Sequence, residues 1–212
     1  MKRKHTIAVA CIFLMTAFLI PDAALSGTRQ ESEARQQSGA RHEMTGSNTT
    51  YMLKPHESLP SADTSGFTKI FLAGTIDMGS SRDWQAEAFE YFSSLPGKYI
   101  LFNPRQGNWD GSKPGEMDYQ VNWELEHLEQ ADIIIMYIIG TSKSPITLLE
   151  MGLFARSGKL YVACEPDFYR HDNVRITCAR YGVPLYDTIE EMLEEVRENV
   201  LEEVEAAAGK RD

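Results

Sequence analysis

Residues 132–155 of this chain read DIIIMYIIGTSKSPITLLEMGLFA, and this stretch is the clearest indication of the fold class. Its first eight residues are almost continuously apolar, which is typical of a strand buried on both faces of a parallel sheet. Pro145 follows a short polar loop and suits the first turn of a helix, because its ring holds φ near the helical value. A buried strand that leads into a helix is the repeating unit of an α/β domain.

The same alternation continues on both sides of this unit. Short apolar segments predict strands at residues 69–73, 99–102, 133–139, 159–164 and 184–186. Segments with a helical period predict helices at residues 83–95, 117–130, 145–157 and 173–181, and a capping-box pattern begins a last helix at Thr188. We therefore predict a flavodoxin-like or Rossmann-like three-layer α/β sandwich with a roughly five-stranded parallel sheet, which spans residues 67–208.

The N-terminal part of the chain has a different composition. Three basic residues precede an apolar run at residues 7–20, and small residues follow it, which is the order of a secretory signal peptide. Residues 1–26 are thus expected to direct export to the periplasm or the medium; the alternative is an uncleaved N-terminal segment that anchors the protein in a membrane. Residues 27–66 are rich in Ser, Thr, Gly and Gln without a sustained apolar period, which predicts a flexible linker.

Composition and motifs argue against several classes of function. The formal net charge of −10, without a basic stripe, argues against polymeric DNA or RNA as a partner. The five histidines lack the spacing of metal ligands, and we expect neither a metal ion nor another cofactor. The glycine-rich fingerprints of dinucleotide and P-loop sites are missing, as is a serine-nucleophile elbow. The sequence leaves open whether Cys164 and Cys178 form a disulfide or stay two buried thiols.

Two glutamates are the candidate catalytic residues. Glu150 is the only charged residue in the stretch 144–155, and a carboxylate among apolar neighbours marks a functional site more often than chance. Glu124 lies beside the predicted apolar stripe Val121, Leu125 and Leu128 and can complete a carboxylate pair of the kind that glycosyl chemistry uses. The structural alternatives are that Glu150 caps a backbone amide at the edge of the core and that Glu124 forms an ion pair with Arg105 or Lys143.

Polar and glycine residues follow the predicted strands, where ligands of open parallel sheets bind. The candidate binding residues in these loops are Gly74, Thr75, Asp77, Asn103, Arg105, Ser142, Ser144 and Asn173. Loop residues of these types are common in α/β domains, so this set by itself does not specify a ligand.

An ordered set of short motifs resembles the nucleoside 2-deoxyribosyltransferase-like family. The motifs are IFLAG at 70–74, NPR at 103–105, WEL at 123–125, AD at 131–132, PITLLEMG at 145–152 and NV at 173–174. The resemblance implies a flavodoxin-like fold in which Glu150 is the nucleophile. It would attack C1′ of a nucleoside, expel the base and hold a glycosyl-enzyme intermediate, which a second base or water then resolves. The expected partners are a nucleoside or nucleotide and a free nucleobase, and family members are commonly homo-oligomers.

The chain departs from the family pattern at two places, where aspartates are replaced by Glu124 and Ser144. The loss of an acid at Ser144 keeps two alternatives open. One is a nucleoside 5′-monophosphate N-glycosidase, a hydrolase in which Ser142, Ser144 and Arg105 would hold the phosphate. The other is a non-catalytic nucleoside- or nucleotide-binding module. The family also implies an aromatic side chain near the ribose, for which the candidates are Tyr119, Trp123 and Tyr169.

Overall fold

The structure is a computed structural model that describes residues 48–60, 63–107 and 109–208. The strands are β1 (Thr49–Leu53), β2 (Thr68–Gly74), β3 (Lys98–Phe102), β4 (Ile133–Ile138), β5 (Leu160–Cys164) and β6 (Leu185–Tyr186). The helices are α1 (Trp84–Ser93), α2 (Glu116–Gln130), α3 (Pro145–Phe154), α4 (His171–Tyr181) and α5 (Ile189–Ala208). The predicted signal peptide, residues 1–26, lies outside the described residues.

The six strands form one parallel sheet in the order β1-β3-β2-β4-β5-β6. Strand β4 lies near the centre of the sheet with all six residues buried, as its continuous apolar sequence predicts. Its residues Ile134, Met136 and Ile138 join a core cluster that includes residues of α2, α3 and α4. Its residues Ile133, Ile135 and Tyr137 join a second cluster with α1 and α5 on the other face. The predicted three-layer α/β sandwich is therefore confirmed.

Strand β1 is the main difference from the sequence prediction. It lies inside the segment 27–66, for which composition predicts a flexible linker, and the prediction is wrong for residues 49–53. Thr49 pairs with Lys98 and Leu53 with Phe102, so the sheet has six strands rather than about five. This short edge strand is defined by its backbone bonds to β3, about 49 residues further along the chain. Five residues without an apolar core pattern do not signal such a long-range partner.

The buried face of α2 also differs from the predicted apolar stripe. Leu128 is buried as expected, but Val121 and Leu125 are exposed, and the polar Gln120 is buried instead. Trp123 supplies the large apolar contact with the sheet through Phe71 and stacks on His127. The helix is therefore rotated about its axis from the orientation that the apolar pattern predicts. As a result Gln120 and Glu124 face the loops at the end of the sheet.

The last helix begins as the capping-box pattern predicts. The backbone N–H of Glu191 donates a hydrogen bond to the Thr188 hydroxyl at 3.2 Å, and Ile189, Leu193 and Val196 are buried. Cys164 and Cys178 are both free thiols buried in the same core cluster. Among the residues that the structure describes, no helix has both the length and the hydropathy needed to cross a membrane.

Candidate active site

A cavity of about 450 Å³ opens at the carboxyl ends of β2, β3 and β4, between the loops there and helices α2 and α3. Ligands of open parallel sheets bind at this end, so its position is that of a substrate site. Six of the residues singled out from the sequence line it, namely Gly74, Thr75, Asp77, Glu124, Ser144 and Glu150.

Glu150 lies in the second turn of α3 and is only 8% exposed. Among the described residues, no group donates a hydrogen bond to its carboxyl and no cation pairs with it, so the predicted alternative of a capping role is not seen. Burial raises the pKa of Glu150 to about 8, and the nearby charge of Glu124 adds to this effect. The carboxyl group is thus desolvated but open to the cavity, and buried acids with a raised pKa occur at functional sites more often than elsewhere.

Glu124 lies on α2 and lines the same cavity. Burial raises the pKa of Glu124, while a hydrogen bond at 2.7 Å from the Gln120 amide to Oε1 lowers it. Neither Arg105 nor Lys143 forms an ion pair with Glu124 within the described ranges, so the ion-pair alternative is wrong. The charge of Glu124 also raises the pKa of Glu150, so the titrations of the two carboxyl groups are coupled.

Three hydroxyl groups tie the loop after β2 to the loop after β4. Thr75 Oγ1 lies 2.7 Å from Ser144 Oγ and 3.2 Å from Ser142 Oγ, and the two serine oxygens are 2.7 Å apart. Thr75 Oγ1 also accepts the backbone N–H of Ile139 at 3.1 Å. Ser144 has a φ of 41°, which a non-glycine residue adopts only when its surroundings require it. This network fixes the start of α3 and therefore the position of Glu150.

Gly74 is required where β2 enters the site. Its φ is 136°, and a Cβ at this position would lie 2.2 Å from the carbonyl oxygen of Tyr137 on β4. The missing side chain lets the end of β2 approach β4 closely, and the next backbone N–H, of Thr75, donates to that same oxygen at 2.9 Å. The Thr75 hydroxyl is thereby brought to the serines.

Arg105 does not line the cavity, although it is buried beside it. Its guanidinium donates hydrogen bonds to the carbonyl oxygens of Gly79, Ser81 and Arg82 and lies 3.6 Å from Asp83. These contacts hold the loop that follows β2 over the site. They occupy the donors that a phosphate would need, so this arrangement does not support the phosphate-binding role considered for Arg105.

Four more of the predicted residues lie away from the cavity wall. The Asn103 side chain accepts the backbone N–H of Arg105 at 2.9 Å and thus shapes the β3 loop. Ser142 is buried behind Ser144, Trp123 belongs to the core under α2, and Asn173 is exposed on α4. All four residues lie in or near a sequence motif. The rotation of the helix or the course of the loop, however, places their side chains away from the cavity wall.

Gln106 and Gln120 line the cavity and were not singled out from the sequence. Gln120 precedes Glu124 by four residues, so the helical repeat alone places both side chains on one face of α2. The spacing of four residues from Glu124 could therefore have identified Gln120 as a cavity residue from the sequence. Gln106 lies in the irregular loop after β3 and had no comparable signal.

Comparison with known proteins supports the resemblance. The model of a family described as "Nucleoside 2-deoxyribosyltransferase like" matches residues 68–168, which run from β2 to the loop after β5 and include Glu124 and Glu150. Residues 68–168 are thus similar to a nucleoside 2-deoxyribosyltransferase-like domain. The family is related to enzymes and implies nucleoside substrates in general.

A solved structure described as a conserved protein from Enterococcus faecalis V583 has a similar fold. It is 15% identical in sequence and superimposes with a TM-score of 0.50, over 63% of this chain and 99% of that one. At this identity the similarity bears on the fold alone. No curated protein matches the chain.

Proposed function

We propose that this protein cleaves the N-glycosidic bond of nucleosides through a glycosyl-enzyme intermediate on Glu150 and transfers the sugar to a second base or to water. The observation that carries the proposal is the desolvated carboxyl of Glu150, which has no partner in the described part of the chain. It shares a cavity with Glu124 inside the stretch that the family model matches. Paired carboxyl groups of this kind can divide the roles of nucleophile and proton donor.

In the first step, a carboxylate oxygen of Glu150 attacks C1′ as the bond from C1′ to the base nitrogen breaks. The bonding electrons stay on the base, which takes a proton from Glu124 and leaves as the neutral nucleobase. An oxocarbenium-like transition state is stabilised by the adjacent carboxylate, and the product is a glycosyl ester of Glu150.

In the second step, the incoming base or a water molecule attacks C1′ and gives up a proton to the Glu124 carboxylate. The ester bond breaks, and Glu150 leaves as a carboxylate. The pair has then returned to its starting state with one proton. The same residues serve transfer and hydrolysis, and the acceptor that reaches C1′ decides between them.

The charge of the cavity favours a nucleoside without a phosphate. Asp77, Glu124 and Glu150 line it, and no lysine or arginine does so among the described residues. A 5′-monophosphate would meet like charges without a compensating cation. The 5′-monophosphate N-glycosidase is therefore the second candidate, supported only by Ser144 and the backbone N–H groups at the start of α3.

The test is an assay of base release from nucleosides and their 5′-monophosphates, with and without a second base. New nucleoside that forms only with the second base establishes transfer, and release of base without it establishes hydrolysis. We expect Glu150→Ala to lose turnover by at least about a thousandfold while it keeps the fold, because the nucleophile is gone. Glu126→Ala, on the exposed side of α2, is the matched control and keeps activity.

An active Glu150→Ala protein contradicts the proposal. A wild-type protein that releases no base, but whose melting temperature rises with a nucleoside, supports the non-catalytic binding module instead.

We also propose that the protein forms a homo-oligomer through α2 and α3. Ile146, Leu149 and Leu153 follow the spacing of one helical face on α3 and are 58–60% exposed. Met117, Val121 and Leu125 form a second exposed apolar row on α2. Both rows reach the cavity, since its lining includes Met117, Val121 and Ile146. Exposed apolar rows on two neighbouring cavity helices of an acidic chain favour association with a like surface.

The export predicted from residues 1–26 remains part of the proposal. It would bring the enzyme together with nucleosides outside the cytoplasm.

A further inference from the structure

The side chain of Gln120 connects the loop after β3 to the carboxylate pair. It is buried on α2, one helical turn before Glu124. Its Nε2 donates hydrogen bonds to the carbonyl oxygen of Pro104 at 3.0 Å and to Oε1 of Glu124 at 2.7 Å. Its Oε1 accepts a hydrogen bond from Nε2 of Gln106. Both ends of the carboxamide are thus engaged.

Pro104 fixes which way this carboxamide points. A backbone carbonyl oxygen only accepts hydrogen bonds, so it must face the nitrogen of Gln120 and not its oxygen. The same nitrogen faces Oε1 of Glu124, so Oε1 acts as an acceptor whether Glu124 is charged or neutral. When Glu124 carries a proton, the proton must therefore reside on Oε2.

We propose that Gln120 is a positioning residue that makes Oε2 of Glu124 the oxygen that exchanges a proton with the substrate. This proposal rests on the function proposed above. In the first step the proton on Oε2 passes to the base nitrogen as the bond to C1′ breaks and its electrons stay on the base. In the second step Oε2 takes a proton from the attacking water or base. Oε1 keeps its hydrogen bond from Gln120 throughout.

The hydrogen bond from Gln120 also explains how Glu124, whose side chain is flexible, can act as a general acid. A free carboxyl group rotates and presents either oxygen, whereas a general acid must hold its proton within hydrogen-bond reach of the leaving atom. The bond to Gln120 fixes the rotation of the Glu124 carboxyl. Gln106 in turn donates a hydrogen bond to Gln120 and contacts Glu116 at 3.4 Å. Gln106 therefore links Gln120 to the first turn of α2, while Gln120 itself contacts Glu124 one turn further along.

The test replaces the amide of Gln120 and leaves the shape of the side chain nearly unchanged. Gln120→Met removes both N–H donors, and Gln120→Glu replaces the nitrogen by an oxygen of the same size. Gln130→Met is the matched control, because Gln130 donates a similar bond at 3.0 Å to Glu126 on the exposed side of the same helix. The full chain is used, and its folding is checked by thermal denaturation.

Two readouts separate positioning from a merely structural role. The first is the titration of the Glu124 carboxyl carbon by ¹³C NMR, assigned with Glu124→Gln. We expect Gln120→Met to raise the pKa of Glu124, because the hydrogen bond that lowers it is lost. The second is the dependence of kcat and KM on pH, where we expect kcat to fall roughly tenfold or more while KM changes little. Gln130→Met should change neither.

The outcomes distinguish this proposal from the proposed function. An unchanged titration of Glu124 in a folded Gln120→Met or Gln120→Glu protein overturns the positioning role alone, as does an unchanged kcat. A wild-type protein without turnover on any nucleoside refutes the proposed function and this role with it.

Discussion

At the scale of single residues, Glu150 combines two properties that rarely occur together in a stable protein. It is buried, and no residue that the structure describes pairs with it to offset its desolvation. The free energy of unfolding is therefore lower than it would be with a neutral side chain, whenever the pH is high enough to ionise a carboxyl group. A cost of this kind at a cavity wall is expected where the residue serves chemistry rather than stability.

We predict that Glu150→Gln stabilises the protein at alkaline pH. The ordinary pKa of a glutamate is 4.5, and burial raises that of Glu150 to about 8, so between these values the folded state holds a proton that the unfolded chain has lost. Wild-type stability thus falls as pH rises across this window, by about 1.4 kcal/mol for each pH unit at most. The glutamine variant does not titrate, so its melting temperature should exceed that of the wild type more at pH 9 than at pH 5.

Thermal denaturation at a series of pH values provides the measurement. Glu126→Gln is the exposed control and should match the wild type across the series. A difference between Glu150→Gln and the wild type that stays the same from pH 5 to pH 9 would show that Glu150 is not desolvated in the folded protein.

We further predict a bell-shaped dependence of kcat/KM on pH, because only the singly protonated pair that carries its proton on Glu124 is productive. Burial and the charge of Glu124 favour the proton on Glu150 in the free protein, so the productive form is the minor tautomer of the pair. The alkaline limb should fall near pH 8, where the last proton leaves the pair, and the acid limb where both groups become protonated. In Glu124→Gln the alkaline limb should disappear, since only the ionisation of the nucleophile then matters. A wild-type rate that rises through pH 8 and stays high would show that Glu124 is not the proton donor.

At the scale of structural elements, loops are held by side chains from other segments. Arg105 follows β3, yet it binds three carbonyl groups in the loop after β2, and this loop supplies Asp77 to Gly79 on the cavity wall. Lys159 has a related role at the end of α2, where its Nζ donates to the carbonyl oxygens of Leu128, Glu129 and Ala131 at 2.7–2.9 Å. In both cases a cation donates hydrogen bonds to backbone oxygens, and Arg105 also forms an ion pair with Asp83.

We predict that Arg105→Lys weakens substrate binding without abolishing turnover. Lysine keeps the charge but lacks the planar set of donors that spans Gly79 and Arg82, so the loop loosens. KM should rise roughly tenfold with a smaller change in kcat, in line with the loss of hydrogen bonds to a charged group. Hydrogen exchange of the amides in residues 79–82 should become faster.

The control for this experiment is Arg175→Lys, because the Arg175 guanidinium donates its hydrogen bonds to the exposed Asp172 on the same helix. It should leave KM and exchange in residues 79–82 unchanged. Unaltered exchange in Arg105→Lys would mean that the loop is held by its own backbone and not by Arg105.

At the scale of the whole molecule, the exposed apolar rows of α2 and α3 predict the oligomeric state. We expect sedimentation velocity to show an oligomer for the wild type and a monomer for Leu149→Glu, because a buried charge without a partner would oppose association. Ile176→Glu is the matched control, since Ile176 is also 58% exposed but lies on α4. A wild-type monomer, or equal effects of the two variants, would contradict the proposed interface.

Much of the architecture could be predicted because it depends on local periodicity. The apolar run of β4, the proline that begins α3 and the capping residue of α5 each act through backbone geometry within a few residues. Glu150 was equally visible, because a single charge in an otherwise neutral helix is a property of one short segment. For these features the local sequence was enough to predict the type of element and roughly where it begins.

Which side chains meet depends on the packing of the whole domain. The pairing of β1 with β3, the contact of Arg105 with the loop after β2 and the link from Gln106 through Gln120 to Glu124 join segments that are far apart or irregular. The core position of Trp123 depends likewise on the rotation of α2 against the sheet. Such contacts follow from the close packing of complete elements, in which a rotation of one helix or a change in one loop alters every partner. A local sequence pattern cannot predict that packing. Its period shows which face of a helix or strand is buried, but not which residues of other elements pack against that face.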